Sequence, residues 1–499
     1  MSIIQLLVKA SGIVWATPII ILLLGSSIWF TVSLHFVQVR NMKRQIKLLT
    51  KTTSSDTGIT PFQAFCNTVA YRVGVSNMAG VATAVFLGGP GSVIWMAITS
   101  VLNAALSYAE NSLGQVYKES QDGVYTGGAP YYMNKGRGWK ILPAVFAFLT
   151  AATVPLLAPA PHANNVAIAF NQSLGIPRWV CGAVIGCLLF LVISGGIKRI
   201  AKVAEMIVPF MTLLYLGLTV AILVINAPHL PQMFSDMITS AFGANAVYGA
   251  LIGSAIMMGV KRSVSSSGAG MAESVGPTSA AEVDHPGETG LVSSMTVFID
   301  VAICICTGLL IMATDCFNVV GTDGQMIHIG TGAEFFATAT QADISWVQAS
   351  INTLLPIGSI IIALCLVFFS FTTNMNHYYQ GEINLRYLFR NCDVKVRSAA
   401  VWGLRIVMVV CYFTWAISDS SDMWALQDLA CGVLVWINVI VLLTFSRTII
   451  TLYKDYQDQL KHGIETPVFN PEKLGIKGAG FWMEHNKDKF REVEEKMSH

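Results

Sequence analysis

Apolar residues run along this chain in long blocks separated by short polar ones. A helix needs about 20 residues to cross the hydrocarbon core of a bilayer. By that length, roughly eleven segments qualify, near 13–36, 61–86, 92–116, 141–171, 178–196, 203–226, 240–282, 289–313, 347–389, 396–417 and 424–446. The two longest, 240–282 and 347–389, exceed one straight span and must be broken, tilted or continued into water. One segment carries an anomaly. In "RVGVSNMAGVA", Arg72 to Ala82, the middle holds Gly74, Ser76, Asn77 and Gly80. A lipid-exposed helix keeps its backbone bonds paired, and irregular backbone at that depth is tolerated only around a protein-buried or watered cavity.

Composition agrees with the blocks. Hydrophobic residues make up 54% of the 499 and charged residues only 12%, against about 25% charged in soluble domains. The mean hydropathy is +0.58. The chain is an all-α polytopic membrane protein. Its first apolar run lacks a basic n-region and a small-residue cleavage site, so it reads as a retained helix. A net charge of +2 gives no footprint for nucleic acid. Most of the ten Cys lie in apolar segments and none forms a C-x-x-C pair, which marks them as small buried residues and not as metal ligands or disulfides. No clustered acid, base and nucleophile marks an enzyme.

Charge sets the topology. Lys and Arg crowd the connections after the first, third, fifth, ninth and last segments: Arg40 to Lys51, Lys118 to Lys140, Lys198 to Lys202, Arg386 to Arg397, and Arg447 with Lys454. The alternate loops are nearly bare, and 314–346 holds neither Lys nor Arg. Basic loops stay cytoplasmic. The expected orientation is N-terminus outside and C-terminus inside, in the plasma (inner) membrane. The amphipathic tail from Arg447 would lie on the cytoplasmic side.

The anomalous stretch has a partner. "RSVSSSGAGMA", Arg262 to Ala272, aligns with it without gaps, pairing Arg72 with Arg262, Ser76 with Ser266 and Gly80 with Gly270. The two segments run in opposite directions and each opens a set of five spans, the pattern of an inverted repeat with one broken helix per half. The units expected are 1–60, an extra helix with its basic loop; 61–235 and 236–446, the two repeats; and 447–499, the tail. A broken helix offers free N–H groups to a carboxylate and free C=O groups to a cation. Gly74, Ser76 and Asn77 are the candidate substrate contacts there. Close helix packing through small residues is the plain alternative for one such stretch. Two at matched positions favour a central site.

"RVGVSNMAGVATAVFLGGPGSVIWM", "YAENSLGQVYKE", "GGAPYYMNKGRG", "HPGETGL", "YYQGEINLRYLF" and "KHGIETPVFNPEKLG" together resemble the alanine/glycine:cation symporter family, also called sodium:alanine symporters. The likeness runs through nearly the whole chain. It implies a LeuT-type fold, two inverted five-helix repeats after one extra helix, and sodium as coupling ion with no organic cofactor. It also implies a sodium site in which Thr372 and Thr373 join the carbonyls of Ala70, Val73 and Phe369. A small hard cation wants such an all-oxygen set.

The departures fall at pocket positions. Where the family usually carries an aromatic, then Ser-Asn-Glu, this chain has Ser265, Ser266, Ser267 and Gly268. A family Gln is His162 and a family Trp is His377. These six residues are the remaining candidate substrate contacts. No further metal is expected, because no Cys, Asp or Glu stands at ligand spacing from the two His. Arg72 and Arg262 need acidic partners at depth, with Glu110, Glu273 and Asp300 available. Asp428 has no expected role beyond polar packing. The function expected is a secondary symporter for a small amino acid. An uncoupled or proton-coupled carrier, or a sensor, of the same fold is the alternative. The run of small residues points to a polar substrate larger than alanine, about glutamine-sized.

Overall fold

The computed structural model describes residues 3–50, 58–121, 123–244, 248–353, 355–418 and 422–497; Lys51 of the first basic loop lies outside them. The membrane bundle and its approaches are α1 (Ile3–Val14), α2 (Thr17–Ser33), α3 (Pro61–Arg72), α4 (Ala79–Gly88), α5 (Gly91–Val116), α6 (Ile141–Leu157), α7 (Pro159–Leu174), α8 (Arg178–Ile193), α9 (Gly196–Ile225), α10 (Ile252–Ser267), α11 (Val275–Ser279), α12 (Pro286–Ala313), α13 (Gly358–Leu388), α14 (Val394–Ile417), α15 (Met423–Thr444) and α16 (Ser446–Lys461). Each apolar segment read from the sequence contains a helix or a broken pair, with residues 245–247 and 354 of the two longest segments outside the described residues. Among the described residues, seven continuous spans are long and apolar enough to cross a membrane, and the bent pair α1–α2 adds an eighth. The other segments fall short because they are divided or short: α3 with α4, the 16-residue α8, and α10 with α11.

The first break has a local cause. α3 starts on a capping box between Thr60 and Gln63, with Pro61 in its first turn, and runs to Arg72. There Asn77 intervenes. Its Oδ1 accepts the Gly74 N–H at 2.8 Å, a side-chain bond in place of a helical one. A short 3-10 turn, Val75–Asn77, bridges to α4. At the second break, α10 ends on Gly268 at φ +64°, and Gly270 (+89°) and Ala272 (+60°) are also left-handed. For alanine this costs about 1–2 kcal/mol. Glu110 on α5 holds the turn in place, its Oε2 accepting from Gly270 N at 3.1 Å and Ala272 N at 3.0 Å.

The ungapped alignment of the two stretches does not survive as a structural equivalence. Arg72 is the last residue of α3, whereas α10 continues five residues beyond Arg262, to Ser267. Each half has its break, but set at a different point of the small-residue run. The arginines differ too. Arg72 donates to Ser107 Oγ at 2.6 Å and Ser293 O at 2.9 Å and to none of the acids expected for it. Arg262 pairs with Asp428, at 2.6 Å, as does Lys261, at 2.7 Å. Asp428 therefore balances two cations, a larger role than polar packing.

The tail is a docked element. The inner face of α16 buries Ile449, Leu452, Tyr453 and Tyr456. Beyond it, Trp482 donates to the carbonyls of Gln115 and Val116, both at 3.1 Å, which supplies a partner to the open end of α5. Lys118 is boxed by Tyr125, Phe481 and Trp482, its Nζ 4.5, 4.9 and 4.8 Å from the ring centres, and donates to Ala281 O at 3.1 Å. Asn486 donates to Asp284 O at 2.9 Å. The stretch "EVDHPGE", Glu282 to Glu288, buries His285, whose Nδ1 caps α12 by accepting from Gly287 N at 3.0 Å. The tail thus grips both the end of α5 and the segment following α11. Trp482→Ala removes the indole and its bonds, and large-to-small changes of this kind cost about 3–5 kcal/mol. The expected result is rapid limited proteolysis beyond Lys461 with the bundle intact. Digestion at the wild-type rate would show that the tail is held by its other contacts.

Candidate substrate and ion site

α13 packs against both α3 and α11 and brings its middle residues to the first break. The hydroxyl of Thr373 lies 3.0 Å from Ala70 O, 3.4 Å from Val73 O and 2.8 Å from Phe369 O. Ala70 and Val73 are carbonyls at the end of α3, where the helix no longer supplies N–H partners. One hydroxyl proton serves one acceptor at a time; the hydroxyl bonds back to Phe369 O in its own helix, and the carbonyls of Ala70 and Val73 face the same oxygen from α3. That is a donor set for a small hard cation. Thr372 lies on the flank. Its hydroxyl is bonded back to Phe368 O at 2.9 Å and Phe369 O at 3.2 Å, and faces Met211 Sδ at 3.8 Å.

The two histidines meet beside this point. Their ring centres are 5.5 Å apart and nearly perpendicular, and Tyr71 stands edge-on to His377 at 5.7 Å. A Cβ on Gly74 would lie 2.9 Å from His162 Cε1 and 2.9 Å from Thr373 Oγ1. A side chain at Gly74 would thus crowd both the imidazole and the Thr373 hydroxyl. Both histidines are buried, and His162 at both ring nitrogens and His377 at Nδ1 lack hydrogen-bond partners. Unbonded buried polar groups are costly unless a ligand or water completes them.

The other candidates are placed differently from their expected roles. Asn77 has its amide committed: Oδ1 to Gly74 N, and Nδ2 to Asp300 Oδ1 at 2.6 Å. It staples the break to α12. Ser266 donates to the other oxygen of Asp300 at 3.1 Å, so Asp300 ties the two broken helices together. A lone acid in the apolar segment 289–313 was the sequence signal for it. Ser265 contacts Asp428 at 3.4 Å, and Ser267 accepts from Ala269 N at 3.4 Å. Ser76 Oγ accepts from Gln427 at 3.4 Å. The space beside Gly268 is filled by Tyr71, whose ring comes within 2.1 Å of where a Cβ would sit. The four small residues therefore form no single open polar wall. The groups left for a ligand are the imidazoles, together with the first N–H groups of α4.

Above the first break lies a cavity of about 510 Å³ lined by Thr83, Asn165, Lys261, Arg262, Trp424 and Asp428 among others. Trp424 links this cavity to the start of α4. Its ring packs on Gly80, a ring carbon coming 3.3 Å from where a Cβ would sit there, and Arg262 stacks over it at 4.8 Å.

Two half-bundles, each with a helix broken at its centre, define a membrane transporter of the LeuT fold. The crystal structure of MhsT in complex with L-phenylalanine superposes with a TM-score of 0.51 over 86% of this chain and 97% of its own, at 14% identity, a likeness that speaks for the fold. The chain belongs to the sodium:alanine symporter family, whose sequence profile matches residues 1–471. It is 39% identical over 475 residues to the putative sodium/proton-dependent alanine carrier protein YrbD of Bacillus subtilis, covering 95% of this chain and 96% of that protein. It is 32% identical over 468 residues to the probable sodium/glutamine symporter GlnT of the same organism, covering 93% of each.

Proposed function

We propose that this transporter takes up a small amino acid together with sodium by alternating access at its two broken helices. One observation carries the reading: the Thr373 hydroxyl and the carbonyls of Ala70, Val73 and Phe369 converge beside Gly74 and an unbonded His162. The ion would neutralise carbonyl dipoles at the end of α3. The substrate carboxylate would meet N–H groups at the start of α4, where the helix dipole favours negative charge. The rest of the substrate would face His162, His377 and Tyr71. By the positive-inside rule the tail-bearing end would face the cytoplasm, the 510 Å³ cavity would serve as an outer vestibule, and residues 61–235 and 236–446 would be the units that move. The family and its named relatives support sodium and amino-acid cargo. The test is uptake of labelled alanine into liposomes under an inward sodium gradient. Accumulation above equilibrium supports symport. Equilibration without accumulation indicates an uncoupled carrier, and binding without flux a sensor.

A second reading concerns the side chain. The imidazole nitrogens without partners favour a polar substrate, since a site built to hydrogen-bond penalises ligands that leave its groups bare. A glutamine-sized amino acid should then compete against labelled substrate more strongly than alanine. If alanine or glycine outcompetes every polar amino acid, the imidazoles are completed by water and the polar reading falls.

A further inference from the structure

Past α2 the chain turns a corner. His35 and Phe36 are both left-handed, at φ +51° and +57°, a region that residues with side chains seldom enter. The corner ends α2 and starts two short helices, Val37–Arg40 and Met42–Leu49, joined by Asn41. Trp29, in the last turns of α2, marks the level. It is half-exposed, and its indole donates to Ser446 Oγ at the start of α16 at 3.2 Å. Exposed tryptophans at the ends of spans sit among lipid headgroups. The two short helices therefore begin at the surface of the bilayer.

Residues three and four apart share one side of a helix, and on that spacing this segment has three faces. The inner face is taken by protein. Gln38 donates to Val101 O at 3.4 Å, Asn41 donates to Tyr453 Oη at 3.3 Å and accepts from Gln457 at 2.9 Å, and Gln45 and Leu48 are buried. The second face is apolar and bare. Val39, Met42 and Ile46 are 51%, 42% and 53% exposed, and Phe36 at the corner is 54% exposed. The third face, next around the helix, is basic: Arg40, Lys43 and Lys47 are all exposed. Lys47 meets Glu465 at 3.4 Å across solvent. Among the described residues, the side chains of Arg40 and Lys43 form no ion pair or hydrogen bond. No Asp or Glu occurs between Met1 and Thr50 to balance them.

A charged face in water would explain the cations alone. It leaves four large apolar side chains wetted beside them. Neutral lipid would cover the apolar row and leave the cations unmatched. An anionic phospholipid meets both rows at once, with acyl chains below and phosphate above. We propose that the segment from Phe36 to Lys47 is a docking site for anionic phospholipid in the leaflet on the tail-bearing side. The acyl chains lie on Phe36, Val39, Met42 and Ile46. The phosphate lies against Arg40, whose planar guanidinium can hold two of its oxygens, and Lys43. The contact requires only that the chain sits in a bilayer, whatever its cargo.

The test is hydrogen exchange of the full chain in nanodiscs of phosphatidylcholine alone or mixed with phosphatidylglycerol. Amides of residues 36–50 should exchange about tenfold more slowly in the anionic discs, since each cation near such a surface contributes about fivefold. Arg40→Gln with Lys43→Gln should erase the difference. Lys140→Gln with Lys395→Gln removes two exposed charges from other basic connections and should keep it. A second arm needs no variant. Raising salt from about 0.1 M to about 1 M shortens screening from about 10 Å to about 3 Å and should shrink the wild-type difference. Equal exchange in the two kinds of disc overturns the proposal, as does a difference that survives loss of Arg40 and Lys43 or is lost equally in the control pair. Slowing by inorganic phosphate in phosphatidylcholine discs, to the same extent as by phosphatidylglycerol, would make this a free-anion site and overturn the lipid.

Discussion

Gly74→Val is expected to abolish sodium-driven uptake and any ligand-induced thermal shift while leaving a folded protein. Gly74 has φ −137° and ψ −165°, extended backbone open to any residue, so the substitution introduces no backbone strain. The effect is steric. A Cβ at this position meets His162 Cε1 and Thr373 Oγ1 at 2.9 Å each, closer than side-chain carbons approach. Valine adds two methyl groups beyond that Cβ. His162 and Thr373 must therefore move, and they are the members of the site that present the imidazole and gather the carbonyls. Overpacking of this kind costs about 1–3 kcal/mol in stability, which lowers the unfolding temperature without preventing folding. The checks are uptake into liposomes and thermal unfolding with and without sodium. A Gly74→Val protein that transports normally would show that ion and substrate bind elsewhere. Gly74→Ala already carries the Cβ and should be impaired as well, though less.

Much of the bundle was legible because the physics of a bilayer is written in residue type. Long apolar blocks give the helices, and Gly and Asn in the midst of one block give the break. The place of the second break was not legible. Matching small residues paired Arg72 with Arg262, yet a helix stops where its backbone finds other partners, and those come from far along the chain. At the first break the partner is local, Asn77 for Gly74 N. At the second it is Glu110, some 160 residues earlier in the chain, holding Gly270 and Ala272. The role of Asp428 was hidden for the same reason, since two cations reach it only after α10 and α15 are packed. Resemblance to the family located His162 and His377, and the structure brings their rings together. It gave the wrong picture of Gly268, because the space lost with a side chain there is retaken by Tyr71, and neighbouring bulk is not encoded at the position itself.

The sodium requirement should divide the two adjacent threonines. Thr373→Ala removes the one hydroxyl that faces Ala70 O, Val73 O and Phe369 O together. Thr372→Ala removes a hydroxyl bonded back to its own helix and facing a thioether. Both hydroxyls bond back to their own helix, a bond given up at little cost; Thr373 of the two also meets carbonyls of α3, and as a ligand to a charged ion it would contribute about 1.5–3 kcal/mol. At about 1.4 kcal/mol per tenfold, Thr373→Ala should raise the sodium concentration for half-maximal uptake at least tenfold. Thr372→Ala should change it about threefold or less on the same scale. Thr373→Ser keeps the oxygen and should return the sodium dependence towards wild type, which separates loss of a ligand from loss of packing. The measurement is uptake against sodium at fixed ionic strength, with choline replacing the missing cation. Equal sodium dependence in Thr373→Ala and wild type would remove the ion from this point. Equal large shifts in both threonine variants would move the ion towards the flank occupied by Thr372, with Met211 displaced to make room for it.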